Sequence, residues 1–226
     1  MKNRDSKPST YYPIFLNIQN KKCVVVGGGQ VALRKVKMLL EGDANVFVIS
    51  STTHPEITKL SKRKAIHWIQ RDFKAGDLKE AVVTIACTDV KEVNRKVADE
   101  AKRAGGLVNV ADDPERSDFI SPSLFKRGNL MVAVSTSGVS PALARKIRAK
   151  LGKSFGKEYA SLLSLIGEVR SRLKEKGYRV GTETWQKALD LDLLIGLIRS
   201  GQRKKAKVIL LSKLEASTRK GNAGSR

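Results

Sequence analysis

Short apolar runs alternate with amphipathic stretches along the first half of the chain. Five of these runs predict β-strands, at residues 22–26, 46–49, 65–69, 82–86 and 107–110. The stretch after the first run has apolar residues at helical spacing, which predicts a helix over 30–41. Regular alternation of strand and helix predicts an α/β fold, a doubly wound parallel sheet of the Rossmann type.

The pattern changes after residue 113. An apolar run over 130–135 predicts one more strand, and Ser140 followed by Pro141 predicts the start of a helix. From Gly152 onward the apolar spacing is helical throughout. We therefore expect four segments: a Rossmann-like domain over 1–113, a small α+β region over 114–152, a helical domain over 153–203 and a weakly structured basic tail over 204–226.

The junction of the first strand and the first helix carries the clearest chemical motif. Gly27, Gly29 and Ala32 occupy the three small-residue positions of the pattern G-x-G-x-x-G/A, and Gly28 lies between the first two. Glycines let backbone N–H groups approach a pyrophosphate, and the helix N-terminus adds partial positive charge. Because a strand precedes this turn and a helix follows it, the turn predicts a dinucleotide site.

The acidic residue that often accepts the ribose hydroxyls of NAD is absent from its usual place. It is expected roughly 20 residues after the first glycine, at the end of the second strand. Here Ser50, Ser51 and Thr52 occupy that position. Hydroxyl groups can bind the ribose without a charge, so these residues leave NAD and NADP open, although the lack of an arginine disfavours a 2′-phosphate.

Charge and composition limit the classes of function. The 226-residue chain has a formal net charge of +22, which raises the possibility of nucleic-acid binding. Aromatic residues make up only 5% of the chain and no zinc-ligand spacing occurs, so a nucleic-acid partner is disfavoured. A solvated basic surface, a basic tail and a polyanionic substrate each remain compatible with the charge.

The chain offers no pattern typical of export, membrane insertion or metal binding. No apolar run approaches the ~18 residues of a membrane span, and residues 1–10 lack the apolar stretch of a signal peptide. Cys23 and Cys87 lie in or beside predicted strands, as small hydrophobic residues of a reducing cytoplasm do. His54 and His67 are far apart without metal-ligand spacing, so we expect no metal site.

Asp112 is the candidate acid/base residue, because it ends the fifth predicted strand where a carboxylate faces a bound dinucleotide. The sequence Asp112-Asp113-Pro114 is equally typical of a structural turn. Polar residues of later elements can line the same crevice, or can form a helix-capping loop and a solvated face: Ser121, Ser135, Thr136, Ser137, Arg145 and Arg148.

Six ordered blocks of the sequence resemble the precorrin-2 dehydrogenases, a family that includes bifunctional siroheme synthases. The blocks are residues 12–16, 26–35, 86–89 with Asn94, 108–114, 118–123 and 134–145. The resemblance covers residues 11–152 and fades in the C-terminal third.

This resemblance implies that a homodimer, with its active site between subunits, oxidises precorrin-2 to sirohydrochlorin with NAD. It implies that 1–113 binds NAD, that 114–152 is a dimerisation region and that Asp112 is the acid/base group. The implied cofactor contacts are Gly27, Gly28, Gly29, Gln30, Val31, Ser51, Thr52 and Thr88. The implied substrate contacts are Asn109, Ser135, Thr136, Ser137 and Arg145.

The resemblance leaves ferrous iron open as a further substrate, because some members of the family carry out only the dehydrogenation. It also explains the charge, since a basic protein attracts a tetrapyrrole that carries many carboxylates. One rival hypothesis is a regulatory module that senses NAD(H) without turnover. Such a module needs the glycine turn but has no need of Asp112.

Overall fold

A computed structural model describes residues 11–223, with side chains described as far as residue 216. The chain divides into two compact units, Met1–Ser121 and Pro122–Arg226. The predicted domain limits at residues 113, 152 and 203 remain predictions. No helix among the described residues is long and apolar enough to cross a membrane.

The first unit contains a five-stranded sheet in the order β3-β2-β1-β4-β5, in which every neighbouring pair is parallel. The strands are β1 Lys22–Val26, β2 Asn45–Ile49, β3 His67–Ile69, β4 Val83–Ala86 and β5 Leu107–Val110. The helices are α1 Gln30–Leu40, α2 Pro55–Lys62 and α3 Lys91–Arg103. The predicted α/β fold with a parallel sheet is therefore confirmed.

Alternate residues of β1 pack into separate cores on the two faces of this sheet. Cys23 and Val25 belong to one core, which includes Val36 of α1, while Val24 and Val26 belong to the other. These four residues are almost fully buried. A parallel sheet covered on both faces buries every side chain of its central strands, which explains the continuous apolar run of β1.

The second unit begins with an antiparallel hairpin of β6 Ser123–Arg127 and β7 Leu130–Val134. Five helices follow: α4 Pro141–Ser154, α5 Glu158–Glu175, α6 Thr182–Ala188, α7 Leu191–Arg199 and α8 Arg203–Ala223. The Ser140 side chain accepts a hydrogen bond from the backbone N–H of Leu143, so the predicted cap of α4 is confirmed.

The expectation of a weakly structured tail from residue 204 is wrong for the described part, because α8 extends to Ala223. Helix α8 buries Ala206, Leu210 and Leu214 in the core of the helical region. This spacing of four residues places the three side chains on one face. The sequence did not predict this apolar stripe, because basic residues are frequent in the same segment. Residues 224–226 of the predicted tail lie outside the described residues.

Candidate functional site

A cavity of the first unit lies at the carboxyl ends of its central strands. Its volume is about 820 Å³. The glycine turn Gly27–Val31 forms one wall, and the loops that follow β2, β3 and β4 form the others. A ligand site at the carboxyl ends of parallel strands, beside the first strand–helix turn, is typical of doubly wound sheets.

The glycine turn is held between two neighbouring loops. A Cβ atom on Gly27 would lie 2.6 Å from the carbonyl oxygen of Cys87, and one on Gly28 would lie 1.9 Å from that of Thr52. A Cβ atom on Gly29 would meet nothing within 4 Å. Gly27 and Gly28 therefore allow the loops to pack closely, whereas Gly29 faces open space in the cavity wall.

The N-terminus of α1 suits an anionic ligand. Gly29 is the N-cap residue, no side chain caps the helix, and its first turn contains no acidic residue. The first N–H groups of a helix lack intrahelical partners and carry partial positive charge. Together with the open space at Gly29, this arrangement fits the pyrophosphate of a dinucleotide.

The loop after β2 is tied to the glycine turn. The backbone N–H of His54 donates to the carbonyl oxygen of Gly28 at 2.7 Å, and Ser50 Oγ donates to the carbonyl oxygen of Thr52 at 2.7 Å. Ser51 and Thr52 are exposed side chains that line the cavity. The loop therefore presents hydroxyl groups at the place where the sequence predicted them.

Thr88 lines the cavity from the loop after β4. Its backbone N–H and its hydroxyl group lie 3.0 and 2.8 Å from Asn94 Oδ1, and Asn94 Nδ2 donates to the carbonyl oxygen of Thr88 at 2.9 Å. Asn94 is a buried residue of α3. This amide therefore fixes the loop and orients Thr88 beside the cavity.

Asp112 and Asp113 play different parts at the end of β5. Asp113 caps a short 3-10 helix by accepting from the backbone N–H of Arg116, and it forms an ion pair with the same residue at 2.8 Å. Asp112 is exposed, has a φ of 59°, and its carboxylate has no hydrogen bond or ion pair within residues 11–216. It is absent from the residues that line the cavity among the described part of the chain.

The segment after Asp112 folds back along the free edge of β5. The backbone N–H of Val108 donates to Asp118 Oδ2 at 2.9 Å, and the backbone N–H of Asp118 donates to the carbonyl oxygen of Val108 at 2.8 Å. Ser117 Oγ accepts from the backbone N–H of Val110 at 2.9 Å. These bonds hold both ends of the loop that carries Asp112.

Asn109 is buried and its side-chain amide bonds within the first unit. Its Oδ1 accepts from Lys35 Nζ at 2.9 Å, and its Nδ2 donates to the carbonyl oxygen of Phe119 at 2.9 Å. Lys35 Nζ also donates to Ser121 Oγ at 2.7 Å. Burial is the main cause that lowers the pKa of Lys35, and the positive charge of the nearby Arg34 lowers it further. Asn109 thus contributes to this internal network, and its predicted contact with substrate stays a prediction.

The other predicted substrate residues belong to the second unit. Ser135 Oγ accepts from the backbone N–H of Ser137 at 3.0 Å, and Thr136 Oγ1 accepts from the backbone N–H of Ser140 at 3.0 Å. Ser137 and Arg145 are exposed. Ser135 and Thr136 therefore stabilise the loop that begins α4, which is one of the two interpretations that the sequence left open.

Sequence reasoning missed Asp72, which lines the cavity from the loop after β3. The available signal was a carboxylate soon after the third predicted strand.

No group of three or more histidine, cysteine, aspartate or glutamate side chains within the described chain is arranged to hold a metal ion.

Comparison with known proteins assigns the chain to a family. Residues 14–123 match the family model described as "Putative NAD(P)-binding", and residues 127–154 match the one described as "Sirohaem biosynthesis protein central". The siroheme synthase of Nitrosococcus oceani is 39% identical over 91% of this chain, and that of Tolumonas auensis is 37% identical over 91%. The chain belongs to the siroheme synthase family.

This member of the siroheme synthase family spans less than half the length of the relatives that it matches. It covers 44% of the Nitrosococcus oceani and Tolumonas auensis proteins. A solved structure named "SirC, precorrin-2 dehydrogenase" is 24% identical, with a TM-score of 0.69 over 91% of this chain and 100% of that one. This likeness confirms the fold, and the family match makes the first unit an NAD(P)-binding domain.

Proposed function

We propose that this chain oxidises precorrin-2 to sirohydrochlorin with NAD, as a step of siroheme biosynthesis. The observation that carries the proposal is a cavity at the glycine turn of a parallel sheet whose edge strand, β5, leads into Asp112, in a chain of the siroheme synthase family. The carboxylate of Asp112 has no partner among residues 11–216. When bound, NAD supplies the chemistry of hydride acceptance.

The residues of the cavity have separate parts in holding NAD. The backbone of Gly29, Gln30 and Val31 binds the pyrophosphate at the start of α1. Ser51 and Thr52 donate hydrogen bonds on the adenosine side. The Thr88 loop closes the opposite wall, which Asn94 keeps in place.

Asp112 accepts the proton that leaves the macrocycle as the hydride is removed. The Asp112 carboxylate, which has no partner among residues 11–216, suits this part better than that of Asp113, which pairs with Arg116. The backbone of Asp112 is in the left-handed region, and the bonds of Ser117 and Asp118 to β5 hold the loop that carries it. The acid/base group therefore sits on an ordered support.

Charge and polar groups of the second unit recognise the substrate. Precorrin-2 is a polycarboxylate, and a net charge of +22 attracts it over a distance. Arg145 binds a carboxylate by charge-assisted hydrogen bonds, and Ser135, Thr136 and Ser137 contribute polar contacts. A reducing cytoplasm suits the two free thiols, Cys23 and Cys87.

The active form in this proposal is a homodimer that buries the region 114–152. A two-stranded sheet is marginally stable alone, and this sheet and the segment that follows it carry apolar side chains that are 44–78% exposed: Met131, Val139 and Leu143. Sedimentation of the full chain tests this part, and a monomer at micromolar concentration would contradict it.

We further propose ferrous iron as a second substrate, inserted after Asp112 accepts pyrrole protons.

An anaerobic absorbance assay with precorrin-2 and NAD⁺ tests the dehydrogenase. We expect NADH and sirohydrochlorin to appear together, and ferrous iron to shift the spectrum faster than in an enzyme-free control. Asp112→Asn should lower turnover at least about 100-fold and leave NAD⁺ affinity unchanged. Asparagine tolerates the φ of 59°, so this substitution isolates the loss of the carboxylate.

The matched control is Asp113→Asn, which removes the neighbouring carboxylate and keeps an amide oxygen that can cap the 3-10 helix. This variant should retain turnover within a few-fold of the parent chain. Near-normal turnover of Asp112→Asn, in protein that binds NAD⁺, would sink the assignment of Asp112.

A further inference from the structure

The loop after β3 brings a carboxylate to the cavity, on the side of the loop that follows β2. Asp72 lines the cavity and is exposed. Within the part of the chain whose side chains are described, its carboxylate has no hydrogen bond or ion pair. The next residue, Phe73, also lines the cavity and packs against a core of the sheet. Phe73 therefore anchors the loop directly beside Asp72.

Strand pairing places Asp72 next to the loop that follows β2. Ile49 of β2 pairs with Ile69 of β3, so Thr52 and Asp72 are both three residues beyond the same rung. Neighbouring strands are about 4.8 Å apart. The loops are joined where they leave the sheet, because the N–H of Ser50 donates to the carbonyl oxygen of Ile69 at 3.3 Å and Trp68 Nε1 donates to that of Ser50 at 2.9 Å.

The neighbouring cation is held by another acid. Arg71 donates two hydrogen bonds to Asp77, at 2.8 and 2.7 Å, and a third to the carbonyl oxygen of Asp72 at 3.0 Å. Asp77 also accepts from the backbone N–H of Lys74 at 2.8 Å. These bonds clamp the loop and engage the guanidinium, and Arg71 is not among the residues that line the cavity in the described chain.

The charge of the cavity contrasts with that of the protein. The chain has a net charge of +22, yet the described residues that line the cavity include no lysine and no arginine. They include two carboxylates, Asp72 beyond β3 and Asp89 beyond β4. A dinucleotide with an additional 2′-phosphate would therefore meet negative charge on the adenosine side and no cation to balance it.

We propose that Asp72 is the carboxylate that recognises the adenosine ribose of NAD and excludes NADP, a role that rests on the proposed dinucleotide site. A carboxylate accepts hydrogen bonds from ribose hydroxyls and repels a 2′-phosphate. In many NAD-binding sheets this acid ends the second strand. Here the second strand ends in hydroxyl residues, and the adjacent strand supplies the acid.

Calorimetric titration of the full chain with NAD⁺ and with NADP⁺ tests the proposal without the tetrapyrrole. The parent chain should bind NAD⁺ at least about tenfold more tightly than NADP⁺. Asp72→Asn should reduce that ratio by at least about tenfold, which corresponds to about 1.4 kcal/mol. The fold should survive, because the Asp72 side chain is exposed.

Asp89→Asn is the matched control, since it removes an equal charge from the opposite side of the same cavity. It should leave the ratio of the two affinities within about threefold of the parent value. An equal change in both variants, or an unchanged ratio in Asp72→Asn, would overturn the role of Asp72.

The same titrations separate this proposal from the proposed function. A parent chain that binds neither dinucleotide overturns both of them. The ratio of the NAD⁺ and NADP⁺ affinities can depend on Asp72 in a protein that does not oxidise precorrin-2. That result supports the role of Asp72 and contradicts the proposed dehydrogenase activity.

Discussion

Lys35 Nζ donates a hydrogen bond to Asn109 Oδ1 at 2.9 Å, and this bond joins helix α1 to strand β5. Both residues are buried, and Lys35 also reaches Ser121. The lysine thus connects the helix that begins at the glycine turn with both ends of the segment that carries Asp112. A buried lysine without a carboxylate partner costs free energy of solvation, which the two hydrogen bonds offset.

Replacement of Lys35 by methionine should lower the free energy of unfolding by about 1–3 kcal/mol, because Asn109 Oδ1 loses its donor in the protein interior. Urea denaturation measures this loss. Arg34→Met is the control, since Arg34 is an exposed cation at the position of α1 directly before Lys35. It should change stability by less than about 0.5 kcal/mol. Equal effects of the two substitutions would contradict a structural role for the Lys35–Asn109 bond.

Alanine at Gly28 and at Gly29 should have opposite consequences. At Gly28 the new methyl group collides with the carbonyl oxygen of Thr52, so we expect a loss of stability of about 1–3 kcal/mol or more. At Gly29, where φ is −81°, alanine meets no steric conflict and the fold should survive. The methyl group then occupies the cavity, so NAD⁺ affinity should fall at least about tenfold.

Thermal unfolding and NAD⁺ titration of both glycine variants check this prediction. A Gly29→Ala protein that binds NAD⁺ as well as the parent chain would show that the pyrophosphate lies elsewhere.

The thiol of Cys87 should react slowly although it lines the cavity. Burial is the main cause that raises its pKa to about 11, so little thiolate exists at neutral pH. Alkylation by iodoacetamide should accelerate about tenfold per pH unit up to that value, and saturating NAD⁺ should slow it. Peptide mapping by mass spectrometry follows each cysteine separately.

Cys23 provides an internal control for this experiment. Burial raises its pKa to about 11 as well, but its side chain is fully buried in β1. It should therefore remain unlabelled until the protein unfolds. Rapid labelling of Cys87 at neutral pH, or labelling that NAD⁺ does not affect, would count against the described environment of this thiol.

Glu168 should make the stability of the helical region depend on pH. Hydrogen bonds from Arg203 and Lys207 lower its pKa from 4.5 to about 2. The stabilisation is complete above the unfolded pKa near 4.5 and is lost as the pH falls through 2. Glu168→Gln should therefore lower the urea midpoint at neutral pH, and the difference from the parent chain should shrink toward pH 2.

The control for this prediction is Glu175→Gln on the same helix, where no ion pair is formed with another described residue. Its urea midpoint should follow that of the parent chain at every pH. A Glu168→Gln effect that is constant between neutral and acidic pH would indicate that the ion pairs do not cause it.

Local patterns predicted most elements of the first unit, because burial on both faces of a parallel sheet leaves continuous apolar runs such as that of β1. Strand β6 went unpredicted. Its two apolar residues, Leu124 and Phe125, are adjacent and do not alternate with polar ones. Pairing with β7 stabilises this strand, and the apolar pattern within residues 123–127 does not predict that pairing.

The predicted cofactor residues all line one cavity, since the rules for strand–helix turns already specify which edge of a sheet binds the ligand. Asp72 could not be assigned to that cavity from its own neighbourhood. It approaches the cavity only because β3 pairs with β2, and the order of strands is a property of the whole sheet.

By itself the sequence determined the type of most elements and the presence of a glycine turn, because periods of two and 3.6 residues and the backbone freedom of glycine act locally. The tertiary structure decided which distant residues meet. Lys35 and Asn109 are 74 positions apart, and Gly28 packs against a loop 24 residues later. Such contacts follow from the order of the strands and from their crossover connections. Burial of apolar surface across the entire sheet stabilises that arrangement.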